Sequence, residues 1–159
     1  MADGNEAFLR QITEAIALIS EVPGYEAVAA HLENWQSRGR IKVNLRLPDR
    51  ARAGLWGTIT LGPEILASPP LSVAQTLVHE HFHIKKQHPL LKSFSFWMGV
   101  FTRTHPMLRY ERPAYTAALC FLKAAELAYP TMAPLARAET AAIRQVFQSG
   151  FGATLTDLW

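Results

Sequence analysis

The chain contains a single cysteine, Cys120, among its 159 residues. An internal disulfide requires two cysteines, so disulfide-stapled classes of small protein are excluded. Cys120 lies in an apolar run, residues 117–122, which predicts a small buried side chain. A chain without disulfides is compatible with a reducing compartment, and we expect a cytoplasmic protein.

The sequence also has no long hydrophobic run. A membrane-spanning helix needs about 18 or more consecutive apolar residues. The nearest approach, residues 94–101, is too short and lies between Lys92 and Arg103. The first six residues are acidic and lack the basic and apolar regions of a signal peptide. We therefore expect no membrane span and no secretory leader.

Charged residues are few, at 18% of the chain, whereas 49% of the residues are hydrophobic. This balance excludes a disordered tail and predicts a folded globule. A length of 159 residues suits one domain with one core, and we predict a single domain over residues 1–159. The net charge of +3 is too small to indicate a partner by itself.

Hydrophobic periodicity predicts helices that alternate with a short β region. Apolar residues recur at three and four in five segments, and the sequence alternates with period two in two others. We predict helices over residues 5–20, 25–37, 90–102, 108–128 and 134–148, and strands over Arg40–Leu47 and Leu55–Leu61. The two strands should pair antiparallel, which makes the fold class α+β, with a small antiparallel sheet on a mostly helical body.

A further helix should begin at Ser72, because Ser72-x-x-Gln75 matches a capping box. This helix contains His79-Glu80-x-x-His83, the H-E-x-x-H pattern of zinc hydrolases. Positions four apart share a helix face, so His79 and His83 can present two ring nitrogens to one Zn²⁺. Glu80 flanks that face and can accept a proton from a water molecule as the water attacks a carbonyl.

A catalytic zinc usually takes three protein ligands, so one more is needed. The metzincin pattern places a histidine six positions after the second one, but that position is Pro89, and His88 falls one residue short. Glu111 is the better candidate, because it heads the otherwise apolar stripe of the helix over 108–128. A carboxylate there needs a partner, and zinc would be one. Pro113 is tolerated if Glu111 lies in the first turn.

A strand, then His79-Glu80-x-x-His83 on a helix, then Glu111 on a later helix, together resemble a gluzincin-type zinc metallopeptidase of the minimal single-domain zincin kind. The resemblance covers roughly residues 41–128. It implies a zincin-like fold, with His79, His83 and Glu111 as zinc ligands and Glu80 as the general base.

The sequence departs from the gluzincin pattern at one position. Many gluzincins have an aspartate four residues after the third ligand, and this chain has Tyr115. A phenol can accept the N–H of an imidazole or donate to a developing oxyanion, so Tyr115 is a candidate catalytic residue. The alternative is a core aromatic side chain.

Other histidines and arginines admit plainer interpretations. His81 lies on the opposite helix face and is expected to be structural or partly exposed. We expect His88 and His105 to be loop residues and His31 to lie at the surface. Glu111 could pair with Arg109 or Arg112 instead of a metal.

Two surface interpretations stay open beside the zinc site. Arg40, Lys42 and Arg46 should share one face of the first strand, as a solvated face or as a basic strip for nucleic acid. The absence of a nucleic-acid-binding motif favours the solvated face. The aromatic run of residues 94–101 predicts core, with an exposed docking surface or a pocket wall as alternatives.

From the sequence we expect a zinc-dependent metallopeptidase, a hydrolase in which Glu80 activates a zinc-bound water. Its substrate would be a peptide or protein that adds in extended form to the sheet edge at Leu55–Leu61. The alternatives are a non-catalytic, zinc-stabilised binding module and a peptidase recruited to nucleic acid through the basic strand. The oligomeric state is open.

Overall fold

The computed structural model describes residues 2–54 and 56–155, and over these ranges the chain is α+β, as predicted. The described residues contain six α-helices and one three-stranded sheet. They form two compact units, whose boundary in the sequence lies between Lys85 and Lys86, and each unit is described by itself. A single domain over residues 1–159 stays a prediction.

The first unit begins with two amphipathic helices, α1 (Ala2–Glu21) and α2 (Glu26–Ser37), which confirm the periodicity. The turn between them contains Gly24 at φ 86°, a backbone conformation that glycine adopts without a steric penalty. The inward face of each helix is fully or nearly fully buried and carries Phe8, Ile12, Ile16, Ile19, Leu32 and Trp35.

Three short strands follow, β1 (Ile41–Val43), β2 (Ala51–Gly54) and β3 (Thr58–Leu61). The order in the sheet is β1-β3-β2. Strand β2 runs antiparallel to β3, whereas β1 runs parallel to it, with Ile41 opposite Ile59. The sheet is therefore mixed, and the prediction of two long antiparallel strands is wrong.

The first predicted strand stops early because Asn44 begins a turn. The Leu47 N–H donates to the Asn44 carbonyl at 3.0 Å, and the Arg46 N–H donates to Asn44 Oδ1 at 3.0 Å. Side chains of Asn commonly stabilise turns in this way. Arg46 thus lies in a turn, so the predicted face shared by Arg40, Lys42 and Arg46 on one strand does not form.

The second predicted strand, Leu55–Leu61, is shorter and differently placed than expected. It begins at Thr58, after a turn in which Gly57 adopts φ 69°, and Leu55 lies outside the described residues. Strand β3 is paired on both sides, so it is no sheet edge and cannot accept an added substrate strand. The free edges belong to β1 and β2.

Helix α3 (Pro70–Lys86) follows a 3₁₀ turn over Pro63–Ala67. It begins two residues before the predicted start, because the N–H groups of Ser72 and Val73 both donate to the Pro69 carbonyl at 2.9 and 3.1 Å. Ser72 therefore lies within the first turn and does not cap the helix, so the predicted capping box is wrong.

The described part of the second unit contains three α-helices, α4 (Pro89–Thr102), α5 (Leu108–Ala128) and α6 (Ala133–Phe151). Each begins and ends within three residues of the predicted helix. Helix α5 packs against both α4 and α6. Small alanines on α5 allow close approach. The buried side chains of α5 and α6 are Ala114, Ala118, Leu119, Phe121, Leu122, Ala125, Ala136, Ile143 and Phe147. Cys120 is half-buried, not fully buried as predicted.

No helix in the described part of the chain is long and apolar enough to cross a membrane. The aromatic run of α4 is largely exposed, so its prediction as core is wrong.

Candidate metal centre

Helix α3 carries the H-E-x-x-H motif and is buried over most of its surface. Every residue from Leu71 to Val78 is buried. His79 is half-buried, whereas the side chains of Glu80 and His83 are only 6% exposed. Ionisable groups are rarely this buried without a paired or hydrogen-bonded partner, so their position points to a specific role.

Arg50, just before β2, holds the first two turns of α3. Its guanidinium donates to Thr76 Oγ1 at 3.0 Å, to the Ser72 carbonyl at 3.3 Å and to the Ser72 hydroxyl, and it also reaches Ser68 Oγ. The planar guanidinium can serve several acceptors at once. Nothing in the local sequence pattern indicated this role for Arg50.

The two motif histidines face each other. Their Nε2 atoms lie 3.0 Å apart, and their ring centroids lie 4.7 Å apart with the planes at 76°. This convergence follows from the four-residue spacing on one helix face. Two imidazole nitrogens directed at one point can share a proton or bind one metal ion.

Glu111 occupies the first turn of α5, as predicted. Its N–H donates to the Met107 carbonyl at 2.9 Å, which begins the helix. The Gln87 side chain donates to the Tyr110 carbonyl at 2.6 Å and so holds this turn. Pro113 lies two residues further on, inside the helix, where it has no N–H to donate to the carbonyl four residues before it.

His79, His83 and Glu111 form a group that could hold a metal ion. One ligand atom from each, a ring nitrogen or a carboxylate oxygen, lies within 4.8 Å of the others. Among the described residues, this is the group of three or more His, Cys, Asp or Glu side chains whose ligand atoms lie close enough to share one metal ion. The three residues that the sequence selected as ligands are thus brought together.

The donor set suits a divalent cation. Two imidazoles and one carboxylate are a ligand set that Zn²⁺ takes when it keeps one position open. Tetrahedral ligands at about 2.0–2.1 Å from zinc lie roughly 3.3 Å from one another. The 3.0 Å between the two Nε2 atoms is close to this separation.

His81 has a structural role, as predicted. Its side chain is 7% exposed, and its Nε2 lies 3.2 Å from Nδ1 of His31. Its ring centroid lies 5.4 Å from those of His31 and Trp35. His31 is exposed but takes part in this aromatic group, which joins α2 to the face of α3 opposite the candidate metal ligands.

The remaining candidates have local partners. His88 Nδ1 accepts from the Leu90 N–H at the start of α4, and His105 Nδ1 accepts from the Met107 N–H. The Tyr115 ring packs against Phe147, with centroids 5.3 Å apart, as a core aromatic would. Its catalytic role stays a prediction.

The two arginines beside Glu111 also contact other residues: Arg109 donates to Thr104 Oγ1 at 3.1 Å, and the Arg112 guanidinium lies over the Phe147 ring. An ion pair between Glu111 and either arginine stays an alternative prediction. Burial raises the pKa of the Cys120 thiol. This shift disfavours the thiolate, which is the nucleophilic and metal-binding form of cysteine.

Comparisons with protein-family models, with curated proteins and with solved structures find no match to this chain.

Proposed function

We propose that this protein is a zinc-dependent metallopeptidase. The observation that carries the proposal is the convergence of His79, His83 and Glu111, from two helices that are distant in sequence. The finer assignment, a gluzincin-like peptidase, rests on the same three residues and on Glu80 between the histidines.

Zn²⁺, when bound, supplies Lewis acidity that polarises a carbonyl and lowers the pKa of water. The chain supplies the proton transfers. The Glu80 carboxylate accepts a proton from the attacking water and delivers it to the leaving amine. Its burial at 6% exposure limits competing solvent around the carboxylate. Tyr115, one turn after Glu111, is the candidate donor to the oxyanion.

The peptide substrate lies in extended form along a free sheet edge. Strand β3 is central, so backbone hydrogen bonds to a substrate are available only from β1 or β2. Strand β2 (Ala51–Gly54) is the longer of the two, and it follows Arg50, which is hydrogen-bonded to α3. This arrangement supports placing an extended peptide beside the motif helix.

The decisive variant is Glu80→Gln, which keeps the shape of the side chain but removes the base. We expect the wild-type protein to bind one zinc per chain and to cleave a fluorogenic peptide library. The variant should retain the zinc and lose about 10²–10⁴-fold in kcat, the usual contribution of a general base. Cleavage by Glu80→Gln at the wild-type rate would refute the mechanism.

The metal site is tested separately by Glu111→Gln, with Glu126→Gln as a matched control further along α5. Plasma mass spectrometry of dialysed protein should show zinc lost from the first variant and retained in the second. Zinc retained in both would place the third ligand elsewhere. Zinc bound by the wild type without any peptide hydrolysis would instead support a zinc-stabilised binding module.

A further inference from the structure

Helix α4 exposes its most apolar side. Leu90, Phe94, Trp97 and Phe101 recur at four, three and four, so they form one stripe along the helix. Their exposed fractions are 70%, 56%, 58% and 77%. Phe96 and Val100 widen this stripe on one side and are about half exposed. An apolar patch of this extent on a surface marks an interaction site.

The opposite face of α4 packs closely against the segment that leads into α5. Rotating the helix to bury the stripe would break these contacts. Ser95 Oγ donates to the Pro106 carbonyl at 2.8 Å and accepts from the Tyr110 N–H at 3.1 Å. At Gly99, a Cβ would lie 2.5 Å from Pro106 Cα, so only glycine allows this close approach. Both contacts orient the helix with the stripe toward solvent.

The charge around the stripe has one sign. Residues 86–110 include four basic side chains and no acidic one. Lys92 lies in the first turn of the helix, with its ammonium group over the Tyr110 ring, and Arg103 follows the last residue, so a basic group lies near each end of the helix. Four basic and no acidic residues give this segment a net charge of +4, which exceeds the +3 of the whole chain.

We propose that α4 binds the surface of an anionic lipid bilayer, with the stripe inserted among the headgroups. Aromatic side chains prefer this interface, and flanking cations are attracted to anionic lipids. A helix of 14 residues is about 21 Å long and lies in the membrane plane without crossing it. This association is peripheral, and it does not depend on the metal centre.

The charge also argues against a second copy of the chain as the occupant. A two-fold symmetric contact would bring the same basic segment from both copies together. Like charges across such a contact are unfavourable, whereas an anionic bilayer neutralises them. The bilayer therefore accounts for both the apolar stripe and its basic flanks.

The test is co-sedimentation of the full chain with vesicles of phosphatidylcholine alone or with about one-third phosphatidylserine. We expect binding to the mixed vesicles that weakens steeply with salt, and little binding to the neutral ones. Trp97→Gln/Phe101→Gln should abolish it, and Lys92→Glu/Arg103→Glu should weaken the vesicle affinity about tenfold or more.

Matched controls use exposed side chains elsewhere. Leu127→Gln/Val146→Gln removes two apolar side chains that are 71% and 56% exposed, and should bind vesicles as the wild type does. Circular dichroism verifies that each variant is folded.

Absence of binding to the mixed vesicles at low salt would overturn the proposal, as would equal binding to neutral ones. A dimer in sedimentation velocity that Trp97→Gln/Phe101→Gln converts to a monomer would assign the stripe to a second copy instead. Because zinc content and peptide cleavage are separate readouts, failure here leaves the metallopeptidase proposal standing.

Discussion

Helices α3 and α4 lie close together in sequence, yet their burial is opposite. Helix α3 has three polar side chains in its first two turns, followed by three histidines and a glutamate. Eleven of its seventeen residues are nevertheless buried. Helix α4 is the more apolar of the two, yet Ser95 and Gly99 are the buried residues among those whose side chains are described. Hydrophobicity alone therefore did not decide which helix is covered.

The difference shows what polar burial requires. In α3, the buried polar groups have specific partners, such as Arg50 for Ser72 and Thr76, and His31 for His81. Partners offset the desolvation that burial imposes on polar atoms. In α4, a serine and a glycine make the closest contacts with the start of α5, which leaves the aromatic side chains outside. The following predictions test this contrast.

The largest effect should come from shortening one side chain to alanine on each helix and comparing the losses in stability. Leu77 on α3 is fully buried, so Leu77→Ala should lower the free energy of unfolding by about 2–5 kcal/mol. Trp97 on α4 is 58% exposed, so Trp97→Ala should change it by no more than about 0.5 kcal/mol. Urea unfolding measures both, and an equal loss in the two variants would mean that the stripe of α4 is packed.

Zinc should stabilise the protein through the ligands on α3. At a free zinc concentration one hundred times its Kd, the stabilisation is about 2.7 kcal/mol. Thermal unfolding with and without zinc should show this gain in the wild type and lose it in His83→Ala. His88→Ala, at the start of α4, should keep the full gain. A gain that persists in His83→Ala would place the metal elsewhere.

Arg50 is predicted to secure the buried polar start of α3. Arg50→Lys removes the planar guanidinium, leaves buried acceptors on Ser72 and Thr76 less satisfied, and should cost about 1–3 kcal/mol in unfolding free energy. Arg52 is exposed and pairs with exposed Asp49, so Arg52→Lys should cost less than about 0.5 kcal/mol. Similar values for both variants would show that Arg50 is not an anchor.

The close contact between α4 and Pro106 is tested by replacing two glycines with alanine, one expected to lower stability and the other to raise it. Gly99→Ala places a Cβ 2.5 Å from the Pro106 backbone and should destabilise by about 1–3 kcal/mol. Gly150 on α6 has no atom within 4 Å of such a Cβ, so Gly150→Ala should stabilise by about 0.5–1 kcal/mol. A neutral Gly99→Ala variant would show that α4 can shift, and with it the direction of the stripe.

Local patterns were sufficient for the helices and for the relations between residues on one helix. The helix periodicity located α1, α2, α4, α5 and α6 to within about three residues, and the motif spacing predicted that His79 and His83 face each other. The position of His81 on the opposite face of α3 and the first-turn position of Glu111 follow from the same periodicity. The proposed roles of Glu80 and Tyr115 are chemical and remain predictions.

The local patterns did not predict the turn at Asn44 or the contacts between elements. Alternation over Arg40–Leu47 predicted one long strand, but the Asn44 turn ends it, and the parallel pairing of β1 with β3 left no trace in the local pattern. Ser72 and Gln75 matched a capping box, but α3 begins at Pro70, so Ser72 lies within the first turn. The aromatic run of α4 matched a core segment because hydrophobicity does not show which face a neighbour covers.

The sequence by itself determined the chemistry available to this protein: two histidines four apart on one helix, a glutamate between them, and a second glutamate in the first turn of a later helix. Helical geometry is local, so these relations follow from spacing. Only the tertiary structure decided that Glu111 comes within 4.8 Å of both histidines, and that α4 turns its aromatic stripe outward. The first depends on packing between segments distant in the chain, and the second on contacts between α4 and the start of α5; local periodicity encodes neither.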